Sequence, residues 1–192
     1  MGEPKLEEIY SYADYLSWDE GRWELINGKV YNMSAAPRRV HQDVLLNLAL
    51  KIKNFLKGKP CKIYMAPFDV VLADEKYKDK ENIFIDTVVQ PDISVICDES
   101  KLDDAGCKGA PDFIIEILSQ STAEKDATVK KKLYEKNGVK EYWLVDTWTK
   151  FVHVYLLKNG KYDFAKCYEL DMELEVTTLK GLTIKVNDIF DY

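Results

Sequence analysis

Two carboxylates stand where an apolar strand should not tolerate them. Asp92 lies in Gln90-Pro91-Asp92-Ile93-Ser94-Val95-Ile96, and Glu116 lies in Pro111-Asp112-Phe113-Ile114-Ile115-Glu116-Ile117-Leu118. An isolated charge buried in such a run is costly unless it is paired, protonated or coordinated. The two are 24 residues apart, room for two strands and a loop, so they can lie side by side on neighbouring strands. A single cation between them accounts for both. A hard ion such as Mg²⁺, with Mn²⁺ as a substitute, is held by one or two carboxylates together with waters and substrate phosphates. The chemistry this points to is phosphodiester hydrolysis. The competing readings are local: Asp92 as a strand-start residue bonded to backbone, and Glu116 in a buried salt bridge to Arg38 or Lys130. Asp112, also after a proline, reads as a turn or strand-entry cap.

Such a site also benefits from a fixed cation that stabilises negative charge developing at phosphorus. No lysine follows Glu116 on its own strand, because the residue two beyond is Leu118. The next helix offers Asp126, Lys130 and Tyr134 at i, i+4 and i+8 on one face. Glu116 lies about 7–10 Å before its strand's end at roughly 3.3 Å per residue. Lys130 lies about 12 Å into the helix at roughly 1.5 Å per residue. A helix that turns back along the sheet brings the two to similar heights. The alternative is an ordinary Asp126–Lys130 surface pair. Lys125, Lys131 and Lys132 read as solvated, with phosphate contact as their other option. Glu24, in the strand Trp23-Glu24-Leu25-Ile26, is a third acid suited to an additional metal or water ligand. His41, near the start of a long helix, reads as a core or capping residue before it reads as a catalyst.

The elements that must position these groups follow from periodicity. A short helix is predicted over Ser11 to Ser17. Asn27-Gly28 between two short apolar runs is a strong signal for a two-residue hairpin. Val40, Val44, Leu45, Leu48, Ile52, Phe55 and Leu56 recur at helical spacing and predict an amphipathic helix, ending at Lys57-Gly58-Lys59-Pro60. Strands are predicted within 61–72 and around Asp92 and Glu116, with loops at 73–82 and 97–108. Ser121-Thr122-Ala123-Glu124 reads as a capping box, and Gly138 after Asn137 as the helix stop. Strands follow at 139–145, 151–157 and 161–168, the last two joined at Asn159-Gly160, with one or two short strands and a turn in the tail. Helices interleaved with a mixed sheet make an α/β or α+β layered domain, read as one unit over residues 1–192. That architecture selects no function.

Composition narrows the classes. The chain has 192 residues, 46% hydrophobic, and a formal net charge of −6. The acidic balance counts against a broad basic footprint for nucleic acid, although metal-binding carboxylates contribute negative charge that an ion partly neutralises. No run is long enough to span a membrane and the N-terminus has no signal-peptide layout, so a cytoplasmic location is expected. Cys61, Cys97, Cys107 and Cys167 show no Cys-x-x-Cys spacing, and His41 and His153 are the only histidines. A zinc site is not expected, and reduced thiols are. The aromatic C-terminal strands (Tyr142, Trp143, Trp148, Phe151, Tyr155) read as core, or else as the face of a homodimer able to cut both strands of a duplex.

These segments resemble a known group. Trp23-Glu24-Leu25-Ile26-Asn27-Gly28, His41-Gln42 and Pro91-Asp92-Ile93-Ser94-Val95 look like its signature motifs. So do Ala110-Pro111-Asp112-Phe113-Ile114-Ile115-Glu116-Ile117-Leu118-Ser119, Ser121-Thr122, and Tyr134 through Glu141-Tyr142-Trp143-Leu144-Val145-Asp146. The chain is similar, over roughly residues 10–165, to the putative restriction endonuclease family of the PD-(D/E)XK nuclease superfamily. That resemblance implies a restriction-endonuclease-like core, a mixed sheet flanked by helices, with Mg²⁺-dependent DNA cleavage as the activity. It implies Asp92 as the superfamily aspartate, Glu116 as the acid of the Glu-x-Lys element, Lys130 as the lysine moved to the next helix, and Glu24 as the N-terminal acid. Leu118 departs from the pattern. That departure and the acidic balance leave a second expectation open, a nuclease-fold interaction module with a weak or idle site.

Overall fold

A computed structural model describes residues 4–19, 21–33, 37–73 and 85–192. Most of the loop expected at 73–82 lies outside those residues. The Asn27-Gly28 signal works as its chemistry requires. Strands β1 (Trp23–Ile26) and β2 (Lys29–Asn32) pair antiparallel, and Asn27 and Gly28 both take positive φ, the combination that matches a hairpin's twist. The predicted N-terminal helix shrinks to α1 (Tyr12–Tyr15), started by Ser11 and Asp14 in a reciprocal capping box. The predicted amphipathic helix is α2 (Arg39–Phe55), which buries Val44, Leu45, Leu48 and Ile52.

Further strands follow in chain order: β3 (Lys62–Met65), β4 (Asp69–Val71), β5 (Val88–Val89), β6 (Ile93–Ile96), β7 (Leu102–Asp103), β8 (Gly106–Lys108) and β9 (Phe113–Leu118). Then come β10 (Glu141–Asp146), β11 (Phe151–Lys158), β12 (Lys161–Tyr168), β13 (Glu173–Glu175) and β14 (Thr183–Lys185). One sheet runs β2-β1-β5-β4-β8-β7 and the other β12-β11-β10-β9-β6-β3, with β13-β14 as a separate hairpin. In the second sheet β9 and β10 are parallel, while β9 pairs antiparallel with β6. A mixed α+β fold is the result.

Strand β9 is central to the second sheet and its two faces do different things. Phe113, Ile115 and Ile117 join Val44, Leu48 and Ile52 of α2 in one core. Ile114 packs on the opposite face with Leu133, Tyr134, Tyr142 and Leu144. Since side chains alternate along a strand, Glu116 points to that opposite face, toward the segment after β9. That segment is a composite helix over 123–137: Ala123–Lys125 is α-helical, Asp126–Lys130 is a wider π turn, and Lys131–Asn137 is α-helical again. Gly138 stops it at φ 84°. The helix starts one residue later than the expected capping box requires, with Thr122 rather than Ser121 at the N-cap and no side-chain cap hydrogen bond from Thr122. The hydroxyl of Ser119 instead lies 2.8 Å from that of Thr122.

The expectation for the cysteines changes. Cys61 and Cys97 form a disulfide rather than reduced thiols. Each sits just outside the β3–β6 pairing of Lys62 with Ile96, so the antiparallel register itself sets the two cysteines opposite one another. Cys107 and Cys167 remain free. Of the aromatics offered as a dimer face, Tyr142 and Trp143 are sealed in the core, whereas Trp148 is 56% exposed. Asp112 is a strand-entry anchor, accepting from the Cys97 amide at 2.7 Å and from Lys140 Nζ at 2.6 Å.

A buried acid that pattern alone did not single out ties the tail to the sheet. Glu141 accepts from the Trp143 indole at 2.9 Å and from the Thr178 amide at 2.6 Å. Burial, outweighing those donors, pushes its carboxyl above 4.5. A carboxyl raised in the folded state contributes its stability fully below its unfolded value and loses it as pH rises through the folded one. The stability advantage of the native protein over Glu141→Gln is therefore expected to shrink as pH rises from acid toward neutral, read by urea denaturation of both. An advantage that grows over that interval would contradict this assignment.

Candidate active site

The register of β6 against β9 places the two strand acids together. Ile93 pairs with Ile115, so one residue outward Asp92 lies opposite Glu116, a cross-strand position at which side chains touch. The Asp92 amide approaches Glu116 Oε2 at 3.5 Å, and Asp92 Oδ2 accepts from the Ile117 amide at 2.7 Å. His41, from the first turn of α2, brings Nε2 to 3.3 Å from Asp92 Oδ2. Burial opposes charge on His41, but the bond to Asp92 and that carboxylate's charge outweigh it and hold the imidazole above its ordinary 6.5.

Lys130 is the hub. Its ammonium lies 2.7 Å from Glu24 Oε1, 2.9 Å from Glu116 Oε1 and 3.7 Å from Asp126 Oδ1, with the lysine side chain 4% exposed. Tyr134 adds a hydrogen bond to Glu116 Oε1 at 2.8 Å. The helix after β9 thus brings both Lys130 and Tyr134 to Glu116, as their spacing suggested. Glu24 is gripped more fully than an open ligand would be. Its Oε2 meets Lys125 Nζ at 2.7 Å, and its Oε1 also accepts from the Gln90 amide at 3.1 Å.

Lys125 is the residue that sequence reasoning placed wrongly, among solvated lysines. It is 16% exposed and paired with Glu24. The reason is the π turn. Side chains five apart diverge widely in an α-helix of about 3.6 residues per turn, but the i→i+5 geometry of a π turn nearly realigns them. Lys125 and Lys130 therefore converge on one carboxylate. No periodicity in the sequence announces such a turn.

The electrostatics record an excess of buried negative charge. Burial, with Asp126, Asp92 and Glu24 nearby, pushes Glu116 up to about 8 against the pull of Lys130. Burial likewise raises Asp126, whose Oδ1 has no hydrogen-bond partner among the described residues. Glu24 is lowered, because its two lysines outweigh the burial that opposes its charge. Lys130 is raised well above its ordinary value by the carboxylates around it, despite burial. Paired oxygen donors short of positive charge suit a hard divalent ion. Asp92 and Glu116 are the side chains that could share one. No cluster of three or more His, Cys, Asp or Glu side chains is gathered for a metal among the described residues, so water and substrate oxygens would complete the shell.

These groups line a cleft of about 880 Å³ at the end of the sheet, where the N-terminus of α2 and the start of the composite helix meet. Arg22, Arg38 and Lys125 are in its wall, and Trp148 and Tyr192 stand at its rim. The mixed sheet and its flanking helices make a restriction-endonuclease-like fold. Residues 12–187 match the family described as "Uma2: Putative restriction endonuclease", and the chain belongs to that family. It is 26% identical over 192 residues to the uncharacterized protein slr1290 of Synechocystis sp., covering 97% of this chain and 92% of that protein. A crystal structure described as a putative nuclease belonging to DUF820, from Anabaena variabilis, superposes with a TM-score of 0.73 at 21% identity, over 94% of this chain and 97% of that one. The two chains share one fold. No helix among the described residues is long and apolar enough to cross a membrane.

Proposed function

We propose that the protein is a Mg²⁺-dependent endonuclease that hydrolyses phosphodiester bonds in DNA. The observation that carries this reading is the cross-strand pair of Asp92 and Glu116, with Glu116 pushed up to about 8 by burial and neighbouring carboxylates. Such a pair holds the ion, with Mn²⁺ as a substitute. When bound, the ion acidifies water and neutralises the scissile phosphate. The chain's own residues do the rest. Lys130 and Tyr134 fix the Glu116 carboxylate by hydrogen bonds, and His41 and the Ile117 amide orient Asp92. Glu24 holds Lys125 and Lys130 against the cleft, where their charge meets the phosphate oxygens as negative charge develops. Glu24 acts in this reading through its lysines rather than as a metal ligand, since ammonium groups sit on both of its oxygens.

Cutting both strands of a duplex calls for two sites, so a homodimer is part of the proposal, without Tyr142 and Trp143 in its interface. A cytoplasmic location is the setting expected for a nuclease acting on DNA, and the Cys61–Cys97 bridge is the feature that argues against it. The test is conversion of supercoiled plasmid to nicked circles by the purified protein in Mg²⁺ and its arrest by EDTA. One observation favours a second reading, an idle nuclease-fold module: Glu24 and Glu116 already have internal cations. Absence of both nicking and calorimetric Mn²⁺ binding would select it.

A further inference from the structure

The rim of the cleft carries a feature that metal and phosphate chemistry does not use. Trp148 is 56% exposed, a large apolar surface left in water beside a charged site. It lies in the turn between β10 and β11, and that turn is held in place. Asp146 Oδ1 accepts from the amides of Trp148 at 2.8 Å and Thr149 at 3.3 Å. Leu144 is level with Glu116 and Asp146 with Leu118 in the parallel β9–β10 pairing. The turn therefore begins about 7 Å beyond the level of Glu116, at roughly 3.3 Å per residue. It stands at the C-terminal ends of the two parallel strands, the usual side for ligands on such sheets. Tyr192 shares the rim, with the Lys150 ammonium 5.3 Å from its ring centre. The cations Arg22, Arg38 and Lys125 line the same cleft.

We infer that Trp148 is a stacking platform for an unpaired nucleobase of the nucleic-acid strand lying in this cleft. The inference rests on the nuclease reading and specifies its substrate as one with an accessible base face. Cationic grooves attract any sugar–phosphate chain, and an exposed aromatic ring adds base stacking without sequence preference. Within an intact duplex both faces of a base are already covered by its neighbours. A single strand, an end or an extruded base is what an indole can reach. A rigid turn suits the role, because the ring is presented without further ordering of the backbone.

Fluorescence anisotropy of labelled dodecamers, at low salt and in EDTA to prevent cutting, tests this. One dodecamer is oligothymidylate and the other an abasic sugar–phosphate chain of the same length. Trp148→Ala is expected to weaken oligothymidylate binding about tenfold or more, the loss of one base–aromatic contact, and to leave binding of the abasic chain unchanged. Trp148→Phe is expected to retain most of the affinity. Equal oligothymidylate binding by the native protein and Trp148→Ala would overturn the stacking inference while leaving the nuclease reading intact. Equal weakening of both dodecamers would also overturn it, since a base contact cannot act on an abasic chain. Failure of the native protein to bind either dodecamer, together with no plasmid nicking, would overturn both. Because the side chain is exposed, thermal melting of Trp148→Ala is expected to match the native protein.

Discussion

Glu116→Gln is expected to abolish Mg²⁺-stimulated nicking of supercoiled plasmid, a loss of at least about 10²-fold, while the protein stays folded. Glutamine keeps the shape of the side chain and one oxygen that can accept from Lys130 and Tyr134, which now donate at 2.9 and 2.8 Å. What disappears is the ability to ionise when a metal binds. A hard divalent ion prefers carboxylate oxygen, and Asp92 alone would have to hold it. Circular dichroism and melting should therefore change little while the rate collapses. Nicking at the native rate by carefully purified variant would remove Glu116 from the chemistry, and the Asp92–Glu116 pair as the site of cleavage with it.

The largest stability effect is expected at Lys130. Lys130→Met removes the one ammonium shared by Glu24, Glu116 and Asp126. Breaking a buried ion pair from one side costs about 3–5 kcal/mol, because an uncompensated charge is left behind. For a domain of this size that is roughly 6–20 °C in melting temperature. The loss depends on pH, and its sign follows from Glu116, already pushed up to about 8 by burial and its acidic neighbours. Without Lys130 the carboxylates are raised further. They can protonate and relieve the repulsion in acid, but not in alkali, so the deficit should grow as pH rises. Scanning calorimetry near pH 5 and near pH 8 reads both effects. A melting temperature within a degree or two of the native protein's near pH 8 would show that the hub contributes nothing to folding.

The contrast between these two sites shows where sequence reasoning works. Asp92 and Glu116 were legible because each breaks a local rule, a charge inside an apolar strand, and because residue count allowed adjacent strands. The Asn27-Gly28 hairpin and the apolar stripe of α2 were legible for a similar reason, since both are set by neighbours in the chain. Lys130 could be reached by comparing heights along a strand and a helix. Lys125 could not, because its direction depends on a π turn that the pattern of Asp126, Lys130 and Tyr134 conceals. Nor could the grip of two lysines on Glu24. It joins β1 of one sheet to a helix packed on the other, and no spacing within either segment specifies that meeting.

By itself the sequence determined most of the strands and helices, though not β7 and β8 within the stretch 97–108 that reads as a loop, and that two acids had to find partners inside the fold. Local propensity and the burial cost of charge act on short stretches of chain and leave their mark in residue order. Tertiary structure alone decided the partners: Lys130 between Glu24, Glu116 and Asp126, Cys61 bonded to Cys97, Glu141 receiving the amides of the tail. Those choices follow from strand register, helix pitch and the packing of one sheet beside another, quantities that arise only when distant segments meet.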